Sequence, residues 1–115
     1  MIKIIRDSIH IKELQELASK EFGDMVKAVV EVEQNIMAIG GELHADEEML
    51  LIEQEGAKRE NTWGINIYPY KRGEEFIEFD SMINLKPGFG NRSRGIEDGK
   101  VQGKIKEIVH QLVKE

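Results

Sequence analysis

Met25-Val26-Lys27-Ala28-Val29-Val30-Glu31-Val32-Glu33-Gln34-Asn35-Ile36-Met37-Ala38-Ile39-Gly40-Gly41 is the stretch on which the fold turns. Val26, Ala28, Val30 and Val32 alternate with Lys27, Val29, Glu31 and Glu33, the period of two that marks a half-buried strand. Gln34-Asn35 reads as a tight turn, because asparagine tolerates the positive φ that hairpin turns demand. Ile36 to Ile39 then returns as a second strand, and Gly40-Gly41 lets it bend. A hairpin at this point implies antiparallel pairing.

Upstream, Ile2 to Ile5 is short and β-branched, suited to a first strand or an edge. Ile11, Leu14, Leu17, Ala18 and Phe22 recur at helical spacing, His10 and Glu13 stand at capping positions, and Gly23 follows, so a helix spans 10–22. Downstream, Asp46, Glu47 and Glu48 put negative charge at the start of a second helix, with Met49, Leu50 and Ile52 as its apolar side and Gly56 as its stop. Trp63, Ile65 and Ile67 alternate with Gly64, Asn66 and Tyr68, giving another strand closed by Pro69. Phe76 to Leu85 reads as a long strand. Its core face is Ile77, Phe79, Ser81, Ile83 and Leu85, and its polar or site-lining face includes Glu78, Asp80 and Asn84. Pro87 to Gly95 is irregular, with three glycines and a proline in nine positions. Val101, Ile105, Ile108, Val109, Leu112 and Val113 define a closing amphipathic helix over 99–113. The order β-α-β-β-α-β-β-α predicts one α+β domain over 1–115, a two-layer arrangement of a mainly antiparallel sheet with helices packed on one face.

Composition narrows the function classes. Sixteen Lys and Arg against 22 Asp and Glu give a net charge of −6, which argues against broad binding to nucleic acid or an anionic membrane. No cysteine is present, so thiolate nucleophiles, thiolate metal sites and disulfides are excluded. The N-terminus meets charge at Lys3 and Arg6, too early for a signal peptide core, and no apolar run approaches the roughly 20 residues of a membrane helix. A soluble, cytoplasmic protein is the expectation.

Three groups of residues carry chemistry. Glu42, His44 and Asp46 alternate after the glycines and would project from one face if the chain stays extended. Such a trio suits a divalent metal or metal-free acid–base catalysis. The plainer alternative is that Asp46 caps a helix, Glu42 is solvated and His44 makes a structural hydrogen bond. Asn91, Arg92, Ser93 and Arg94 form a glycine-flanked loop suited to an anion, since arginine offers a bidentate fork; salt bridges to Asp80, Glu42 or Glu97 compete with that reading. Asn66, Tyr68, Asp80 and Asn84 are candidates to line the same cleft, or else the wet face of a sheet. An anion site needs a positive element, so Arg92 or Arg94 is expected to fold back toward His44 and share a concave surface with Asn84 and Asn91. No P-loop, nucleophile elbow or His-Glu-x-x-His motif is present.

Gly40-Gly41-Glu42-Leu43-His44-Ala45-Asp46, Trp63-Gly64-Ile65-Asn66-Ile67-Tyr68-Pro69, Phe76-Ile77-Glu78-Phe79-Asp80-Ser81-Met82-Ile83-Asn84 and Gly90-Asn91-Arg92-Ser93-Arg94-Gly95 resemble the signature segments of a small prokaryotic family, a domain of unknown function of about this length. The resemblance covers nearly the whole chain and implies no catalytic residue. Two functions of different class fit the residues. One is a small hydrolase or lyase acting on a phosphorylated or acidic small molecule. The other is a non-catalytic binding or interaction module that docks a partner, a homodimer among the options.

Overall fold

The computed structural model describes residues 1–115. A five-stranded sheet in the order β1-β4-β3-β5-β6 is formed by β1 (Lys3–Ile5), β3 (Val26–Glu31), β4 (Ile36–Ile39), β5 (Thr62–Ile67) and β6 (Ile77–Glu78). Every neighbouring pair in it is antiparallel. Three helices, α1 (Ile11–Glu21), α2 (His44–Glu55) and α3 (Gly99–Leu112), complete the domain. A separate parallel pair joins β2 (Ile9–His10) to β7 (Val113–Lys114). The α+β class and the antiparallel sheet are as expected from the sequence.

The hairpin is where alternation placed it, but its turn is wider than Gln34-Asn35. Glu31 pairs with Ile36, leaving Val32 to Asn35 as the loop, and Asn35 takes a φ of 60°. The buried Glu31 carboxylate organises this loop: Oε1 accepts from the Glu33 and Gln34 amides at 2.5 and 3.1 Å. Helix α1 starts behind His10, whose Nδ1 accepts from the Lys12 amide at 3.1 Å. Asp98 caps α3 by accepting from the Lys100 amide at 2.9 Å. Both caps satisfy amide groups that a helix start leaves without partners.

Strand alternation sorts the core into two faces. Val26, Ala28, Val30, Met37, Ile39, Trp63, Ile65 and Ile67 meet Leu14 and Ala18 of α1 and Ile105, Ile108, Val109 and Leu112 of α3. Each fully buried Leu or Ile there contributes on the order of 1.5–3 kcal/mol. Val29, Ile36 and Ala38 point the other way and pack with Leu51 of α2 and Ile83. The helices therefore do not all lie on one face: α1 and α3 share one, and α2 covers the other. The reason is β3 itself, whose Val29 is as apolar as its opposite-facing neighbours and needs cover on both sides.

Two further expectations are corrected here. The buried stripe of α2 is His44, Glu47, Glu48 and Leu51, while Met49 is exposed and Leu50 and Ile52 only half-buried. The long strand over 76–85 shrinks to Ile77–Glu78. Beyond it the chain leaves the ladder and forms a 3-10 turn over Met82–Asn84, so Ile77 and Ile83 join opposite faces of the core. Gly64 permits this path, since a Cβ there would lie 2.5 Å from Ser81 Cβ and Oγ.

Candidate functional site

Helix α2 begins at His44, and that decides the fate of the Glu42-x-His44-x-Asp46 motif. A helix turns about 100° per residue, so Asp46 lies roughly 200° round the axis from His44. Glu42 and Asp46 face solvent, whereas His44 is buried. The three side chains do not converge, and no group of three or more His, Asp or Glu is arranged to hold a metal ion. The expected shared face of this trio, and with it metal ligation by the three together, is corrected.

His44 instead opens onto a cleft of about 310 Å³ between α2, the sheet and the loops after β6. Its lining includes Lys27 of β3, Asn66 of β5, Asp80, Ser81 and Arg94. Four of the residues singled out from sequence (His44, Asn66, Asp80 and Arg94) thus meet in one place. Lys27 and Ser81 were not among the candidates. Lys27 occupies a polar position of an alternating strand, which reads as solvated unless one knows that α2 covers that face.

The imidazole is held in one tautomer. His44 Nε2 lies 2.8 Å from the Ile65 carbonyl, and a carbonyl can only accept, so Nε2 carries the proton. Burial pushes the pKa of His44 below the ordinary histidine value, and the Lys27 charge adds to this. The bond to Ile65, the Asn66 side-chain oxygen as an acceptor for the protonated ring and the charge of Asp80 pull the other way. The ring is thereby neutral at pH 7, with Nδ1 as a proton acceptor and groups at hand to favour the imidazolium once formed.

Positive charge comes from Lys27 and Arg94. Arg94 Nε donates to Asp80 Oδ1 at 2.7 Å, which leaves its two terminal amino groups free to donate to a ligand. Its main chain is fixed from behind: Asn84 Nδ2 donates to the Arg94 carbonyl at 2.9 Å, and the Ser81 amide donates to the same oxygen at 3.0 Å. Asn91 staples the loop, with Nδ2 donating to the Asn84 and Gly95 carbonyls, both at 2.7 Å, and Oδ1 accepting from the Glu97 amide at 2.9 Å. The carboxamides of Asn84 and Asn91 are consumed by backbone and support the cleft without lining it. Arg92 and Ser93 are exposed outside it, Arg92 through an amide bonded to Glu97 Oε2 at 2.6 Å. Tyr68 is joined to the cleft at one remove, since its hydroxyl and Asn66 Nδ2 both donate to Glu78 Oε1, at 3.0 and 2.9 Å.

Two acidic groups of α2 are buried behind the site. Glu47 Oε2 accepts from the Gly41 amide at 2.9 Å while Oε1 has no partner, and burial pushes this carboxyl up to about 9. Glu48 Oε2 accepts from Thr62 Oγ1 at 2.6 Å and from Lys86 Nζ at 3.2 Å. Lys86 is itself buried, also donates to the Ile83 carbonyl at 2.8 Å, and is pulled below its ordinary pKa by desolvation. This pair fastens the Met82–Asn84 turn to α2.

An antiparallel α+β domain with one neutral histidine and two cations around a small cleft is the class that fold and site define. Within that class, the chain belongs to the family described as protein of unknown function (DUF5674), which matches residues 3–112. Comparison with curated proteins and with solved structures gave no match. No helix is long and apolar enough to cross a membrane.

Proposed function

We propose that the His44 cleft binds a small anionic molecule, a carboxylate or a phosphate ester, and acts on it as a hydrolase or lyase. The observation that supports this reading is that His44 and Arg94, far apart in the sequence, line one cleft together with Lys27. Asp80 offsets one of the two cations, so the cleft favours a single negative charge on the ligand. Arg94 and Lys27 hold that charge. His44 Nδ1 takes a proton from the ligand in an elimination, or from water in a hydrolysis, and Asn66 and Asp80 favour the resulting imidazolium.

A thermal-shift and NMR screen of small carboxylates and phosphate esters tests the reading. Arg94→Ala is expected to abolish binding with the melting temperature nearly unchanged, because Arg94 and Asp80 are both half exposed and such pairs contribute about 0–1 kcal/mol. His44→Gln is expected to keep binding and lose turnover. Absence of any binder would sink the proposal. Binding without turnover would favour a non-catalytic module, and one feature supports that second reading. Leu43 and Met82, 56% and 62% exposed, put apolar surface at the rim of the same cleft, where a partner chain or a second copy would cover it.

A further inference from the structure

A second cleft, larger at about 510 Å³, lies where the first turn of α1, the end of α3 and the Pro69–Gly73 loop meet. Its rim carries Lys12, Lys71 and Arg72, and Glu115 is the only carboxylate residue in the lining. None of the three cations has a carboxylate within 4.0 Å, although the chain holds 22 acidic residues to pair with them. Gathering three like charges around a concavity is unfavourable unless an anion enters it.

The same cleft presents flat rings in fixed positions. Tyr70 is 59% exposed, yet its hydroxyl lies 3.1 Å from Ser19 Oγ, so the ring is held at the rim. The loop is pinned again where Gln15 Nε2 donates to the Pro69 carbonyl at 3.1 Å. Opposite, His110 stacks on Phe76 with ring centroids 6.2 Å apart and planes 20° apart. Lys71 Nζ rests over the Tyr68 ring, 4.6 Å from its centroid, and has no carboxylate partner. Exposed aromatic surface beside cations without carboxylate partners suits a ligand that is a polyanion at one end and a flat ring at the other.

We propose that this cleft binds a nucleoside polyphosphate, with Lys12, Lys71 and Arg72 on the phosphates and the base against Tyr70 or His110. It is independent of the His44 site, with which it shares no lining residue. Multiple charge on the ligand follows from three cations against one carboxylate; the ring follows from an aromatic side chain tied down in an exposed position.

Calorimetry at fixed ionic strength with ADP, pyrophosphate and adenosine tests the assignment. ADP should bind, and the doubly substituted Lys71→Ala/Arg72→Ala protein should bind it at least about tenfold more weakly. Both residues are exposed, so the variant's melting temperature should match the parent's. Tyr70→Ala should weaken ADP but not pyrophosphate, and Tyr70→Phe, which keeps the ring but not its tie to Ser19, should weaken ADP less than Tyr70→Ala does. Failure of ADP to bind at millimolar concentration, or equal binding by the double variant, would overturn the site. Pyrophosphate binding as tightly as ADP would overturn the nucleotide class. Arg94→Ala should leave ADP binding intact; a matching loss there would put the ligand in the His44 cleft and overturn the proposal.

Discussion

The side chain of Asn84 pairs with the main chain of Gly64 as a strand would: Oδ1 accepts from the Gly64 amide at 2.8 Å and Nδ2 donates to the Gly64 carbonyl at 2.9 Å. One carboxamide thus stands in for the continuation of β6, the fifth strand, on the edge of β5 where the chain has already left the sheet. The same Nδ2 holds the Arg94 carbonyl, so sheet edge and cleft wall share one buried group. Asn84→Ala is expected to cost about 2–3 kcal/mol, because it strands buried backbone groups on Gly64. Urea denaturation measures this. Asn84→Asp should recover only part, since it keeps the acceptor and loses the donor.

Glu47 sets a slope of stability with pH. Its pKa in the folded chain, about 9, lies above the unfolded value, so the folded state binds the proton more tightly. The stabilisation is therefore complete below about pH 4.5 and is lost as pH rises toward 9. Glu47→Gln removes this dependence and should raise stability by about 4–5 kcal/mol at pH 8, against about 1 kcal/mol or less at pH 5. Denaturation midpoints at the two pH values check it, and an equal gain at both would refute the assignment.

His44 acts with the opposite sign. Its folded pKa is lowered, first by burial, so its contribution is present above about pH 6.5 and is lost as pH falls through the folded value. The two slopes oppose each other as pH falls below about 6.5 toward the folded pKa of His44. In the Glu47→Gln background the acid loss due to His44 should stand uncovered, and adding His44→Gln should flatten it. A Glu47→Gln protein with no acid-side slope would show that His44 titrates normally.

The buried Glu48–Lys86 pair should be far more sensitive to losing one partner than to losing both. Lys86→Met leaves the buried Glu48 carboxylate with Thr62 and the exposed Arg59, 3.8 Å away, as its remaining partners and is expected to cost about 3 kcal/mol, the low end for a broken buried pair. Adding Glu48→Gln should return most of that stability, since the buried charge goes with it. A double-mutant cycle in urea reads the coupling, and simple additivity would count against a functioning pair.

Much of the fold can be read from alternation and caps. Helix α1, the hairpin β3–β4, strand β5 and helix α3 follow from apolar spacing that tertiary packing reinforces. Helix α2 is different: its buried stripe is mostly ionisable, so hydrophobic periodicity pointed to Met49, Leu50 and Ile52 instead. The 76–85 segment misled for a related reason. Ile77, Phe79, Ser81, Ile83 and Leu85 alternate as a strand would, but the partner after Glu78 is a side chain, and no pattern of residue types encodes that. At the site, His44, Asn66, Asp80 and Arg94 were legible as polar residues in unusual positions. Glu42 and Asp46 were not separable from His44, because the point at which an extended segment becomes helical is set by contacts with the sheet.

The pairing of β2 with β7 bears on how the chain reaches its folded state. Ile9 sits opposite Val113 and His10 opposite Lys114, so two of the shortest strands close a loop of nearly the entire polypeptide. Closing so long a loop sacrifices chain entropy that only two residue pairs repay directly. That contact should form last, after the antiparallel sheet and α3 have brought the ends together, and substitutions in it should speed unfolding while leaving the refolding rate unchanged.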